Sequence, residues 1–513
     1  MIAQDMTKGN ANKYPDKTAV IVGNTRYTFK QLHERVNSLA NALSDIGLKK
    51  GNMFAVCAGP CAQHPEILYA AIETGMPLAV LNSAVSKEGL VHQLNTAKLP
   101  VIIFDEETYD RFESLRSQLK SIKHYIVIGS SRKGTLNYDE LISSHPPLDL
   151  PEVNVSYDDL VWVTSSSGTT GLPKLIMRSY ETSLALGLRF GYGLQLTGDD
   201  VFFNIGSPSM AFCLSRVISY LGATFIMANE FSPEAILRTI ETERVTKIFC
   251  GAIFVRGLIN YPDSGKYDHS TLRRVITVGA PLDVEEWQRA IEMVGNIFVN
   301  AYGSVEDTPT CYLYPEDIAR EGGQINAERL KSTGRETPGA HIRVIDDQGN
   351  DVQPGRLGEL VTRGETLMKG YYNEPEKTRE VIKGGFYHTG DLVKMDEEGY
   401  IYFAGRKSDV IAVSGEMVLP QEIEGVISRI EGVSDVTVIG LPDDKLGQTI
   451  RAVIVTKEKE KITEADVIRF CEKYLPDFAV PRSVDFVESL PRGPSGKILK
   501  NEVMNMYLQQ KRG

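Results

Sequence analysis

Cysteine is scarce in this chain. The six thiols, Cys57, Cys61, Cys213, Cys250, Cys311 and Cys471, are spread over 513 residues, and no two form a Cys-x-x-Cys pair. They are expected to be buried and reduced, behaving as small hydrophobes. The eight histidines are scattered as well, with no His-x-x-x-His or Cys/His cluster, which argues against a structural zinc site. Positive charge is not in excess. A net charge of −11 excludes the broad basic surface that phosphate backbones require, so nucleic acid is not an expected partner. Long apolar runs are missing too, so no transmembrane segment is expected. Residues 1–8 lack an apolar signal core, and Lys511-Arg512-Gly513 is not a peroxisomal address, so a cytoplasmic location is the expectation. No tandem repeat or low-complexity tract is present.

What remains is an ordinary globular composition, 42% hydrophobic and 24% charged. The length exceeds what one hydrophobic core can organise, so several packed units are expected. Residues 28–48 place Leu32, Val36, Leu39, Ala40 and Leu43 at three- and four-residue spacing, the mark of an amphipathic helix. Short apolar runs at 53–57, 78–81, 101–104 and 125–128 alternate with helical stretches, and the rhythm returns at 224–227, 247–250 and 274–278. Strand and helix in alternation predict α/β architecture with doubly wound parallel sheets. From about Ile342 the pattern shifts to short strands and turns, with strands at 341–345 and 359–363 around Asp346-Asp347-Gln348-Gly349, which predicts a smaller β-rich subdomain. Beyond Gly405-Arg406, helices at 422–428 and 464–474 and strands at 433–440 and 449–456 predict a small α+β domain. The expected division is 1–406 for the large N-terminal domain and 407–513 for a mobile C-terminal domain.

One stretch carries the most chemistry. An apolar run, 160–163, leads into Thr164-Ser165-Ser166-Ser167-Gly168-Thr169-Thr170-Gly171-Leu172-Pro173-Lys174. Small hydroxyl residues and glycines let backbone N–H groups approach an anion, and Lys174 adds positive charge. It is not a Walker A loop, which needs Gly-x-x-x-x-Gly-Lys-Ser/Thr. The competing reading is a flexible Ser/Gly linker.

Further segments follow in a fixed order: Val278-Gly279-Ala280-Pro281-Leu282, Asn300-Ala301-Tyr302-Gly303-Ser304-Val305-Glu306, Tyr387-His388-Thr389-Gly390-Asp391, Gly405-Arg406 and Pro491-Arg492-Gly493-Pro494-Ser495-Gly496-Lys497. With the Ser/Gly/Thr loop, this series resembles the adenylate-forming superfamily of acyl-CoA synthetases, adenylation domains and luciferases. The resemblance runs from Tyr27-Thr28 to Lys497, most closely to the AMP-dependent CoA ligase branch.

The resemblance implies an ATP-dependent acid–thiol ligase in fatty acid or lipid metabolism. Its substrates would be a carboxylic acid, ATP and coenzyme A, its metal Mg²⁺, and its expected assembly a homodimer. Ser166, Ser167, Gly168, Thr169, Thr170, Gly171 and Lys174 would hold the β- and γ-phosphates. Gly279, Ala280, Pro281, Asn300, Ala301, Tyr302, Gly303 and Ser304 would line the nucleotide, with the Tyr302 ring beside the adenine. Glu306 would bind Mg²⁺ and take part in catalysis. Asp391 would accept the ribose hydroxyls, with Arg406 near the same ribose. Lys497 would be the catalytic lysine, its ammonium between the substrate carboxylate and the α-phosphate. Ser408 would be the hinge, and Ser414, Gly415 and Glu416 would line a tunnel for the pantetheine thiol. Met210, Ala211, Phe212 and Val305 would form the acyl pocket. The stretch 207–212 lacks the Asp that amino-acid adenylation domains place there, which favours a hydrophobic acid, fatty or aromatic, because an unpaired buried ammonium is costly.

Several positions depart from the family pattern. Val305 stands where Thr usually precedes the glutamate, Ser166 where Thr is common, Leu175 where Gly often follows the lysine, and Ser408 where Asp or Lys is usual. A lost neutral hydrogen bond at Val305 is worth about 1 kcal/mol, a few-fold in rate. Two alternatives stay open: a stand-alone adenylating enzyme that loads a carrier protein, and a catalytically weak nucleotide-binding homologue. No fused carrier domain is expected, since only sixteen residues follow Lys497.

Overall fold

A computed structural model of the chain describes residues 6–165, 173–206, 208–279, 282–320, 324–443, 445–457, 462–492 and 498–510. Contacts divide it into two compact units, Met1–His341 with Arg363–Tyr387, and Ile342–Thr362 with His388–Gly513. Residues 342–362 and 388–406 thus group with the C-terminal part, whereas the sequence reading draws its boundary at 406/407.

The first unit holds two largely parallel sheets. One orders its strands Gly370–Tyr371, Leu175–Ser179, Leu160–Ser165, Leu78–Val80, Phe54–Cys57, Val101–Asp105, His124–Ile128 and Leu136–Asn137. The other runs Arg335–Glu336, Asp307–Leu313, Phe298–Ser304, Arg274–Val278, Lys247–Gly251, Val201–Ile205, Thr224–Met227, Thr18–Val22 and Thr25–Thr28. Alternation along a strand decides which layer each residue joins. Phe54, Val56, Leu78, Val80, Val101 and Ile103 face a cluster that also takes in Phe202, Phe225, Phe249 and Ile276 of the second sheet. Their neighbours Ala55, Cys57, Ala79, Leu81, Ile102 and Phe104 face a separate cluster on the opposite side. The amphipathic helix is Phe29–Asp45, and Leu32, Val36, Leu39, Ala40 and Leu43 are all buried. Thr28 starts it with a capping box: Gln31 N donates to Thr28 Oγ1 and Thr28 N to Gln31 Oε1, satisfying two donors of the first turn.

In the second unit, Val433–Asp443 and Gly447–Thr456 form a long antiparallel ladder, extended by Ile411–Val413 and Glu416–Val418. Ser483–Phe486 adds in parallel to Gly447–Thr456. The pleat again splits two faces. Val438, Ile450, Ala452 and Ile454 pack against the helices Pro420–Ile427 and Glu464–Tyr474 through Ile423, Ile427, Val467 and Cys471. Ile439, Leu441 and Val453 pack with Val503 of the helix Lys500–Gln510.

Cys57, Cys61, Cys250, Cys311 and Cys471 are free thiols, and burial pushes those of Cys57 and Cys250 up to about 12. Among the described residues, no helix is long and apolar enough to cross a membrane.

Candidate active site

The Ser/Gly/Thr loop is the connection of a hairpin. Leu160–Ser165 and Leu175–Ser179 pair antiparallel, with Thr164 opposite Ile176 and Ser165 opposite Leu175. Ser166, Ser167, Gly168, Thr169, Thr170 and Gly171 lie outside the described residues, but both ends of the loop are fixed. Gln93, buried on the helix Lys87–Ala97, donates from Nε2 to Ser165 Oγ at 2.7 Å and to Pro173 O at 3.4 Å. One side-chain amide therefore ties the end of the first strand to the start of the second. Leu175 is buried in the core under this sheet. Its chain path is regular β-strand, which explains how the protein tolerates leucine where glycine is frequent in the family.

The strip 300–306 is the end of a second hairpin. Phe298–Ser304 pairs with Asp307–Leu313, and Ser304 opposes Asp307, so Val305 and Glu306 form a two-residue tip. The ladder is irregular at Gly303, where a Cβ would come within 2.8 Å of Thr308 Oγ1 and 3.0 Å of Asp307 O. Only glycine fits that bulge. Thr277 pairs with Asn300 in the parallel neighbour strand. Gly279, at φ +97° in the left-handed region, therefore lies at the same sheet end as Tyr302. This is the carboxyl end of the parallel strands, where open α/β sheets bind ligands. Ala301 is buried, Tyr302 and Ser304 are half-buried, and Val305 is 44% exposed. Ala280 and Pro281 lie outside the described residues, as do the side chains of Met210, Ala211 and Phe212 on the helix Pro208–Leu221.

Around Glu306 the support is dense. Its backbone carbonyl accepts from Met368 N at 2.8 Å, and its Oε1 accepts the Tyr371 hydroxyl at 3.0 Å. Arg178 donates from Nη2 to Val305 O at 2.5 Å and from Nη1 to Thr366 O. The stem is anchored by buried Asp307, whose Oδ1 accepts from Thr366 Oγ1 at 2.5 Å. Lys174 Nζ lies 4.4 Å from the centroid of the Tyr371 ring. Lys174 and Glu306, far apart in sequence, thus meet on two sides of one tyrosine.

In the second unit, Asp391 and Arg406 are ladder partners on Phe386–Met395 and Ile401–Arg406. Arg406 Nε lies 2.7 Å from Asp391 Oδ1, and its Nη1 donates to Thr389 O at 3.2 Å. Thr389 Oγ1 accepts from Asp391 N at 3.0 Å. The next residue, Lys407, sits between Asp347 at 2.8 Å and Glu359 at 3.2 Å. The Asp347 hydrogen bond, ahead of the Glu359 contact, raises its pKa above the ordinary lysine value. Exposed Ser408 lies in the short 3₁₀ turn Lys407–Asp409. Val413 pairs with Glu416, leaving Ser414 (φ +53°) and Gly415 (φ +87°) as a two-residue hairpin tip. Two successive positive φ values are those of a type I′ turn, whose twist matches its flanking strands. Lys497 lies outside the described residues. The chain on either side of it is clamped, with Arg492 bridged to Ile498 and Leu499 N donating to Pro491 O at 2.9 Å.

Among the described residues no three His, Cys, Asp or Glu side chains gather as a metal cage. That donor set still fits Mg²⁺ of the phosphate-bound kind, which takes one or two carboxylates and completes its shell with phosphate oxygens and water. Glu306 is the candidate carboxylate in the first unit. Sequence reasoning missed Gln93, Arg178 and Tyr371. They act through other residues, and none carries a motif signal of its own.

The model of the AMP-binding enzyme family matches residues 7–372, and that of the AMP-binding enzyme C-terminal domain matches 422–497. The chain is 30% identical to a 3-[(3aS,4S,7aS)-7a-methyl-1,5-dioxo-octahydro-1H-inden-4-yl]propanoyl:CoA ligase of Rhodococcus jostii (strain RHA1), over 96% of each protein. It is likewise 30% identical to a feruloyl-CoA synthase of Amycolatopsis sp, over 97% of each. Among solved structures, ATP-bound MatB from Rhodopseudomonas palustris superposes with a TM-score of 0.87 at 25% identity, covering 99% of both chains.

Proposed function

The chain belongs to the AMP-binding enzymes, in the acyl-CoA synthetase branch of the adenylate-forming superfamily, and from that premise we propose that it joins a bulky hydrophobic carboxylic acid to coenzyme A. It is an AMP-forming acid–thiol ligase, and ATP and coenzyme A are substrates of that family. The observation that carries the choice of acid is Val305. This apolar side chain, 44% exposed, stands beside Glu306 at the hairpin tip where the family usually has threonine. The absence of an acidic residue from 207–212 supports the same reading. So do the acids named for the two relatives, an octahydroindenyl propanoate and ferulate, both built on carbon rings.

In the first step a carboxylate oxygen of the acid attacks the α-phosphorus of ATP, and pyrophosphate leaves as the acyl–phosphate bond forms. The loop 166–171 and Lys174 hold the leaving phosphates, and Tyr302 flanks the adenine. Glu306 would hold Mg²⁺, which would offset phosphate charge when bound. Asp391, oriented by Arg406, accepts the ribose hydroxyls. Lys497 stabilises the charge that builds between carboxylate and α-phosphate. In the second step the coenzyme A sulfur attacks the acyl carbon and AMP leaves with the bonding pair. Lys497 has no part there, so a turn of the C-terminal domain about Ser408 that withdraws it and presents Ser414, Gly415 and Glu416 reconciles two reactions in one pocket.

The test is a panel of acids, from acetate through ring-bearing propanoates and cinnamates to long-chain fatty acids, assayed by coenzyme A-dependent AMP release. Preference for ring-bearing or long acids over acetate by at least about ten-fold in kcat/KM is expected, the scale of one or two buried methylenes. A preference for acetate or for an amino acid would overturn the proposed acid class.

A further inference from the structure

We infer that Tyr371 is a positioning residue that couples the phosphate-binding Lys174 to the metal-binding Glu306. The inference rests on the roles proposed above for those two residues.

Tyr371 is placed by its own strand rather than by its partners. Gly370–Tyr371 pairs antiparallel with Leu175–Ser179, the strand that begins directly after Lys174, with Tyr371 opposite Ile176. Its N–H donates to Thr378 Oγ1 at 2.9 Å, and its ring packs with Ile176 and Met368 at 4% exposure. Gly370, at φ +131°, lets the chain pass Thr378, where a Cβ would come within 2.8 Å of the threonine methyl. The ring is therefore a fixed wall of the site.

The two ends of that ring meet opposite charges. The Lys174 ammonium lies against the ring at 4.4 Å from the centroid, a cation–π distance. The hydroxyl donates to Glu306 Oε1 at 3.0 Å. A phenol, with an ordinary pKa of about 10, carries its proton at neutral pH, so the hydroxyl is the donor in this contact. A phenol that donates to a carboxylate gains electron density in its ring, and a richer ring holds an ammonium more strongly. Among the described residues, no other hydrogen bond reaches the Glu306 carboxylate. The hydroxyl therefore fixes one oxygen and leaves the other for a metal, the usual work of an outer-shell partner.

Two substitutions separate the two contacts. Tyr371→Phe keeps the ring under Lys174 and removes the donor to Glu306. Tyr371→Leu removes both. Nucleotide binding is measured by calorimetry with ATP in the presence of a chelator and with ATP plus Mg²⁺. Pyrophosphate release is measured against Mg²⁺ concentration at saturating ATP. Tyr371→Phe is expected to bind metal-free ATP as the unsubstituted protein does, while needing about ten-fold more Mg²⁺ for half-maximal rate, the low end for loss of an outer-shell partner. Tyr371→Leu is expected to weaken metal-free ATP binding as well. An unchanged Mg²⁺ requirement in Tyr371→Phe overturns the inference, as does equal loss of both binding modes in the two variants. If the unsubstituted protein releases no pyrophosphate with any acid, the proposed function fails instead. The chelator experiment still judges the Lys174 contact in that case.

Discussion

Arg406 Nε stands 2.7 Å from Oδ1 of Asp391, its register partner in an antiparallel ladder. Asp391 is buried, and a buried carboxylate holds its charge only with such a partner. The pair sets the carboxylate in one orientation, as the proposed ribose contact requires. Asp391→Asn keeps the shape but loses the charge-assisted bonds. Hydrogen bonds to charged groups are worth about 1.5–3 kcal/mol, so KM for ATP should rise roughly 10- to 100-fold. Arg406→Lys should weaken ATP too, because an ammonium cannot reach both Asp391 and Thr389 O as the planar guanidinium does. Pyrophosphate release against ATP concentration reads both. A fall in kcat with KM unchanged would remove the pair from the ribose site.

Gln93 reaches both ends of the Ser/Gly/Thr loop, the proposed phosphate loop, from a neighbouring helix. Gln93→Leu fills the same space and leaves Ser165 Oγ and Pro173 O without that donor. The expected cost is about 0.5–1.5 kcal/mol of stability for the half-buried hydrogen bonds lost, together with a several-fold rise in KM for ATP. Thermal unfolding with and without ATP separates the two effects. The stabilisation that ATP confers should shrink, as binding linkage requires. An unchanged ATP-induced shift would make Gln93 a packing residue only.

For Lys497, Lys497→Ala should slow adenylate formation by about 10²-fold or more, the scale of one preorganised charge stabiliser. Thioesterification of supplied acyl-AMP should survive. Pyrophosphate release in the absence of coenzyme A and coenzyme A-dependent AMP release from acyl-AMP measure the steps apart. Equal losses in both would contradict a role confined to the first step.

The layered α/β architecture was legible because period-2 and period-3.6 patterns record burial directly. The expected strands 224–227 and 274–278 are Thr224–Met227 and Arg274–Val278. The expected helix 28–48 is Phe29–Asp45 behind its Thr28 cap. Distant pairings were not legible. Thr18–Val22 joins its sheet by parallel pairing with Thr224–Met227, and no local pattern specifies a partner that far along the chain. The grouping of 388–406 with the C-terminal part was hidden for a similar reason, since contacts rather than composition decide it. The proposed site residues stand in motifs that charge and glycine make visible in the sequence, whereas Tyr371, Arg178 and Gln93 support them through long-range contacts. A lone buried tyrosine or glutamine has the same sequence appearance wherever it sits.

The last prediction concerns Ser408. It lies in an exposed 3₁₀ turn directly after Lys407, whose ammonium is held by Asp347 and Glu359. Proline fixes φ near −65° and disfavours helical ψ at the residue before it. Ser408→Pro therefore constrains both its own position and Lys407, the two places where a rotating domain would take up its change of backbone angle. On the proposed mechanism the first half-reaction needs no rotation once acid and ATP are bound, and the second does. The expected result is a burst of acyl-AMP of about one equivalent per enzyme, followed by little steady coenzyme A-dependent turnover, as a conformational gate implies. Rapid-quench measurement of acyl-AMP beside steady-state AMP release reads both phases. Ser408→Ala leaves the backbone angles free and should turn over normally, which separates stiffness from loss of the hydroxyl. Normal ligase activity in Ser408→Pro would move the hinge to Lys407 or Asp409, and loss of the burst itself would mean that the turn serves adenylation as well.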